Sequence, residues 1–159
     1  MMTINENAPV QVERSVVIRA PIENIWAIHA AMRRWPEWHP EIKWVNMEGP
    51  VVPGTLFRWK SGMFTIESRL EEVRRNEVLS WTGRLMGIAA VHTWHFEKRA
   101  DGTLVTTAES MEGILARLFS KTLTQTTEDT LMQWLKALKE ASEKQVIQPE
   151  SQQSRSESR

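Results

Sequence analysis

The sequence predicts an α+β fold. A curved antiparallel sheet of about six to seven strands wraps around a long C-terminal helix, with two short helices after the first strand. Three observations predict it. Apolar and polar residues alternate through consecutive short segments, the period-two pattern of half-buried strands. Turn signals separate those segments, so sequence neighbours pair antiparallel. After Gly113 the period becomes helical, and the concave sheet face is the only large partner for the helix's apolar stripe.

The elements follow in order. "VQVERSVVIRA" alternates and reads as a strand over residues 10 to 19. In "APIENIWAIHAAM", Pro21 suits a first helical turn, Glu23 complements the helix N-terminus, and Ile22, Ile25, Trp26 and His29 share a face. Pro36 and Pro40 limit "RRWPEWHPEIKW" to a single helical turn. Strands are then expected in "IKWVNME", "TLFRWKS", "MFTIESRLEEV", "EVLSWTGRL", "AAVHTWHFEK" and "TLVTTAESME", with a junction at Ser61-Gly62 and a two-residue hairpin turn at Asp101-Gly102. Leu115, Leu118, Phe119, Leu123, Leu131, Trp134, Leu135 and Leu138 fit one amphipathic helix from about 114 to 145. Its polar middle, "SKTLTQTTEDT", invites a kink. The expected organisation is a flexible N-terminus over 1–9, one domain over 10–146 and a disordered polar tail over 147–159.

Composition narrows the function classes. Lys plus Arg and Asp plus Glu are 20 each, so the formal net charge is zero, which argues against a sequence-independent nucleic-acid binder. With no cysteine, disulfides, thiol catalysis and cysteine metal sites are excluded. No secretory leader is visible at "MMTINENAPV" and no apolar run reaches bilayer length, so a cytoplasmic protein without stable membrane insertion is expected. Eight tryptophans stand beside no tyrosine. A Trp-rich core and a cavity lined by indoles both fit that surplus.

Four segments also carry a resemblance. "SVVIRAPIENIWAI", "RRWPEWHPEI", "AVHTWHFEKRADGTLVTTAESMEG" and "LMQWLKALKEASE" resemble the START-like, or SRPBCC, superfamily and its polyketide cyclase/dehydrase branch, over roughly residues 10 to 145. The resemblance implies a helix-grip fold with a hydrophobic cavity between sheet and C-terminal helix. The superfamily includes lipid carriers, hormone binders, cyclases and quinone-binding proteins, so fold alone does not fix function. The iron triad of the related Rieske-oxygenase domains has no counterpart at a matching spacing, and neither a phosphate loop nor a nucleophile elbow is present.

The candidate site centres on "VHTWHFEK". On a strand, His92 and His95 face opposite ways, so they do not chelate one metal, and no metal or cofactor is expected. His92, Trp94 and Phe96 form the more apolar, inward set. With Asp101-Gly102 as the turn, His92 lies opposite Met111 and Trp94 opposite Glu109, which makes Glu109 a diagonal neighbour of His92. That register also turns Val105 and Met111 inward. His92 and Glu109 are therefore either a hydrogen-bonded brace in the wall or a polar anchor or acid–base pair within the cavity.

The expected ligand wall adds Trp35, Trp38, Phe57, Trp59, Trp81, Trp94 and Met111 to that pair. For Phe57, Trp59, Leu79 and Trp81, core filling competes with ligand contact. Trp35, Trp38 and His39 anchor the Pro-broken segment, or gate the cavity mouth. Arg58 points outward, His29 caps or borders the core, Trp134 packs in the core, and Thr122 and Thr126 share a solvated helix face. Two functions stand open: binding or carriage of a small hydrophobic molecule (polyketide, quinone, lipid or phenolic) by a monomer or homodimer, or aromatase/cyclase or dehydratase chemistry by His92 and Glu109.

Overall fold

The computed structural model describes residues 2–147. Strands β1 (Val10–Ile18), β2 (Ile42–Met47), β3 (Leu56–Ser61), β4 (Phe64–Arg74), β5 (Val78–Leu85), β6 (Ile88–Arg99) and β7 (Gly102–Glu112) form one sheet. Helices α1 (Ile22–Ala30) and α2 (Trp35–Trp38), joined by a 3-10 turn at Met32–Arg34, follow β1, while α3 (Ile114–Leu118) and α4 (Ser120–Ile147) close the chain. The sheet order is β1-β7-β6-β5-β4-β3-β2, and every pairing is antiparallel. The predicted tail, residues 147–159, lies outside the described residues apart from Ile147, which ends α4.

Local chemistry explains the helical elements. Pro21 precedes α1 in extended backbone, and its carbonyl accepts from the Asn24 and Ile25 amides. Ile25, Trp26 and His29 form the buried face of α1. Pro36 sits in the first turn of α2, and Pro40 prevents its extension. The Trp35 indole N–H donates to the His29 carbonyl at 2.8 Å, tying α2 to α1.

The last helix is fixed along one sheet edge. Arg14 on β1 pairs with Glu128 on α4 at 2.8 Å, and Lys139 donates to the Val17 carbonyl at 3.0 Å. Glu143 accepts from the Arg19 amide at 3.0 Å. Between sheet and helices lies an aromatic core in which Trp35, Trp81, Trp94 and Trp134 are almost wholly buried. Apolar burial of this kind is the main stabilising force, at roughly 1.5–3 kcal/mol for a large side chain.

Two expectations change. The β6–β7 turn is Ala100-Asp101, since Arg99 pairs with Gly102 and Phe96 with Val105. The true register differs from the expected one by two residues, so every side chain keeps its face while its partner changes. Gly102 is in the strand, at φ 142°, where a Cβ would stand 2.2 Å from the Ile18 carbonyl oxygen. The single long helix is broken, with Phe119 between α3 and α4 (φ −111°, ψ 28°), just before the polar segment expected to kink. At the other terminus, the Met2 amide donates to Glu72, the Asn5 amide donates to Ser110, and Ala8 is buried.

Candidate functional site

A cavity of about 470 Å³ lies between the concave sheet face and α3 with the first half of α4. Its inner end is built by strand residues that alternate inward: Trp59 on β3, Ser68 on β4, Trp81 on β5, His92 on β6 and Glu109 and Met111 on β7. Trp134 closes this end from α4, while Leu123, Thr126, Thr127 and Thr130 continue the helical wall. The Trp59 indole donates to Ser68 at 3.0 Å, which fixes the indole and uses one of the few polar groups nearby. The exposed lining residues Phe64, Met86 and Phe119 mark the mouth.

His92 and Glu109 are directly paired across β6 and β7. The His92 ring lies between Trp81 and Trp94, with ring centroids at 4.7 and 5.6 Å. Its Nε2 is 2.9 Å from the Thr107 hydroxyl, and that hydroxyl donates to the Thr93 carbonyl at 3.1 Å. A hydroxyl has one proton to give, so Thr107 accepts from His92 Nε2–H. Nδ1 then carries the lone pair, 3.9 Å from Glu109 Oε2. That distance is too long for a hydrogen bond.

Electrostatics reinforce this assignment. Burial pulls His92 down to about 3, so the imidazole is neutral. Burial pushes Glu109 up to about 7, so its carboxyl holds a proton under mildly acidic conditions. The pair therefore presents an acid O–H and an imidazole lone pair side by side, and neither satisfies the other. Such a site holds a carbonyl or hydroxyl group by donation and acceptance together, and also suits proton transfer.

The structure brings Trp59, Trp81, His92, Glu109 and Met111 to the cavity wall. Trp35, Phe57 and Trp94 are instead packed in the core, and Trp38 packs against that core, because the indoles of α2 and the deeper strand positions fill space behind the wall. Sequence reasoning missed Trp134, which packs in the core and also closes the cavity. It also missed the threonine row. Thr122 and Thr126 are exposed, as expected of a solvated face, but that face looks over the cavity. The four-residue spacing of Thr122, Thr126 and Thr130 was the available signal.

His29 is more central than a border residue. Trp94 lies 4.3 Å from it between ring centroids, and Trp35, Trp81, Phe96 and Trp134 surround it. Burial lowers it to about 3, with the nearby His92 adding to the effect. His95, by contrast, is half-buried and on the opposite face from His92. No group of three or more His, Asp or Glu placed to hold a metal ion occurs among the described residues. No helix among them is long and apolar enough to cross a membrane.

The profile of a family described as polyketide cyclase/dehydrase and lipid transport matches residues 9–143. A search of curated protein sequences finds no match. Among solved structures, a hypothetical protein from Helicobacter pylori is similar at 19% identity and TM-score 0.77, covering 89% of this chain and 99% of its own. The aromatase/cyclase ZhuI from Streptomyces sp. R1128 is similar at 15% identity and TM-score 0.73, over 86% of this chain and 94% of its own. A START superfamily protein from Mycobacterium smegmatis gives 18% identity and TM-score 0.71, over 84% and 97%. At these identities the likeness establishes the shared helix-grip fold.

Proposed function

Because the chain belongs to the polyketide cyclase/dehydrase and lipid transport family, we propose that its cavity binds a small hydrophobic molecule bearing a carbonyl or hydroxyl group. The observation that carries this reading is the cavity itself: about 470 Å³, with indoles on its inner walls and the unsatisfied His92–Glu109 pair among them. That volume falls within the range of small-molecule sites. The ligand's apolar body lies against Trp59, Trp81 and Trp134. Its polar end accepts from the Glu109 carboxyl or donates to His92 Nδ1. The test is a fluorescence titration with naphthoquinones, flavonoids and fatty acids. Saturable quenching by the carbonyl-bearing ring compounds, absent for matched hydrocarbons, supports the reading. Equal response to both sets overturns the polar anchor.

A second reading is catalysis on a polyketide-like carbonyl chain, and the raised Glu109 carboxyl favours it. A group held at about 7 exchanges protons readily near neutral pH. In this reading Glu109 donates to a carbonyl oxygen while the His92 lone pair takes a proton from carbon or hydroxyl, and the cavity wall limits water. Mass spectrometry of poly-β-ketone surrogates incubated with the protein tests it. No turnover above buffer leaves the binding reading alone.

A further inference from the structure

Ten large apolar side chains are exposed among the described residues, and six of them gather around the cavity mouth. Met63, 90% exposed, and Phe64 form the β3–β4 hairpin tip. Met86, 70% exposed, is at the β5–β6 turn. Ile114, Leu118 and Phe119 belong to α3 and the break after it. Met63, Ile114 and Leu118 do not line the cavity, so ligand binding does not account for their exposure. The six stand on three separate elements, as a ring of tips with the opening in the middle. That arrangement suits a deformable apolar phase better than a rigid complementary surface.

Charge separates the candidates further. The chain as a whole is neutral, yet Lys60, Arg84, Arg117 and Lys121 flank these elements, and none makes an ion pair among the described residues. Of the nearby acids, Glu67 pairs with Arg58 at 3.7 Å, Glu112 accepts from Asn5, and Glu41 approaches Gly62. The rim therefore combines exposed methionine, leucine and phenylalanine with a surplus of basic over acidic side chains, Arg58, Lys60, Arg84, Arg117 and Lys121 against Glu41, Glu67 and Glu112.

We propose that this rim docks the protein, mouth first, on an anionic lipid surface. Met63, Met86 and Leu118 enter the boundary between headgroups and acyl chains, and the four basic side chains lie at the headgroups. A hydrophobic ligand then passes between bilayer and cavity without crossing water. The inference goes beyond the ligand reading and is tested apart from it.

The experiment is flotation of the full chain with phosphatidylcholine vesicles, with and without phosphatidylglycerol, at low and high salt. Binding should require phosphatidylglycerol and weaken in high salt, because exposed charges are screened. Met63→Asp, Leu118→Asp and Lys121→Glu should each weaken it by about tenfold. None of these positions builds the ligand wall. Unchanged circular dichroism, and unchanged binding of a soluble fluorescent hydrophobe without vesicles, show that fold and cavity are intact. Failure of the ligand reading would appear in that second measurement alone. No flotation of the parent with phosphatidylglycerol overturns the proposal, as does equal flotation of Met63→Asp. Sedimentation velocity showing self-association that Met63→Asp abolishes would also overturn it, since a second copy would then cover the rim.

Discussion

His92 and Glu109 face each other across β6 and β7 at 3.9 Å, close enough to share an environment and too far apart to satisfy one another. Two opposite pKa shifts follow from one cause. Burial disfavours the imidazolium and the carboxylate alike, so the low-energy pair is the uncharged one.

Glu109→Gln should therefore stabilise the protein at high pH. The folded carboxyl is raised from 4.5 to about 7, so the stability it contributes is present below 4.5 and lost as pH rises through 7. Glutamine keeps the shape and cannot ionise. The variant should gain about 1–3 kcal/mol over the parent at pH 8 relative to pH 5. Urea unfolding at the two pH values checks this, and an equal difference at both would mean that Glu109 is hydrated.

The same pair should report on catalysis. If turnover of a poly-β-ketone surrogate is found, Glu109→Gln should lower it by about 10²–10⁴ with ligand affinity nearly constant. If the cavity only binds, the affinity should shift by about 0.5–1.5 kcal/mol, the worth of one hydrogen bond. Fluorescence titration and product analysis on one protein batch separate the cases.

Acid should destabilise the protein before it protonates most carboxylates. His29 and His92 are lowered from 6.5 to about 3, and His39 to about 4, all chiefly by burial. The unfolded chain takes up these protons below 6.5 and the folded one does not, so their contribution is full above 6.5 and falls towards 3. Each can contribute at most about 1.4 kcal/mol per pH unit, and Glu109 opposes them between 7 and 4.5. Melting temperature should drop as pH falls from 6.5 to 4.5, and His29→Leu should flatten the slope. An unchanged slope in His29→Leu would remove His29 from the explanation.

Tryptophan variants should map the cavity. Trp59→Phe, Trp81→Phe and Trp134→Phe should each reduce ligand quenching more than Trp26→Phe, because the first three line the cavity and Trp26 packs elsewhere against Phe96. Equal losses in all four would argue against a localised aromatic pocket.

How much of this was legible in the sequence varied with the physics of each feature. Strand faces were legible: His92, Trp94 and Phe96 marked the apolar face of β6, and a two-residue turn with Val105 and Met111 inward put Glu109 on the same face, where it lies. Their pairing was not, because register depends on which residues make the turn. Asp101-Gly102 is a common turn pair, but here Gly102 is required for close approach to Ile18. The overall architecture was legible from the change of period after Gly113. The division of indoles between wall and core was not. Trp81 and Trp94 are both inward strand residues, and only the placement of α1 decides that His29 shields Trp94.

The meeting of Gly113 with the β5–β6 turn has a mechanical consequence. Gly113, at φ 119°, lies so close to Gly87 that a Cβ there would stand 2.5 Å from the Gly87 carbonyl oxygen. Met86 is on that turn and Leu115 is two residues past Gly113, so these two parts of the rim share one backbone seam. They form one continuous side of the opening. The β3–β4 tip at Gly62 stands on the other side of the opening, and the helix side changes direction at the break at Phe119. Any side chain at Gly113 would therefore push the β5–β6 turn away from the start of α3 and part the rim along this seam.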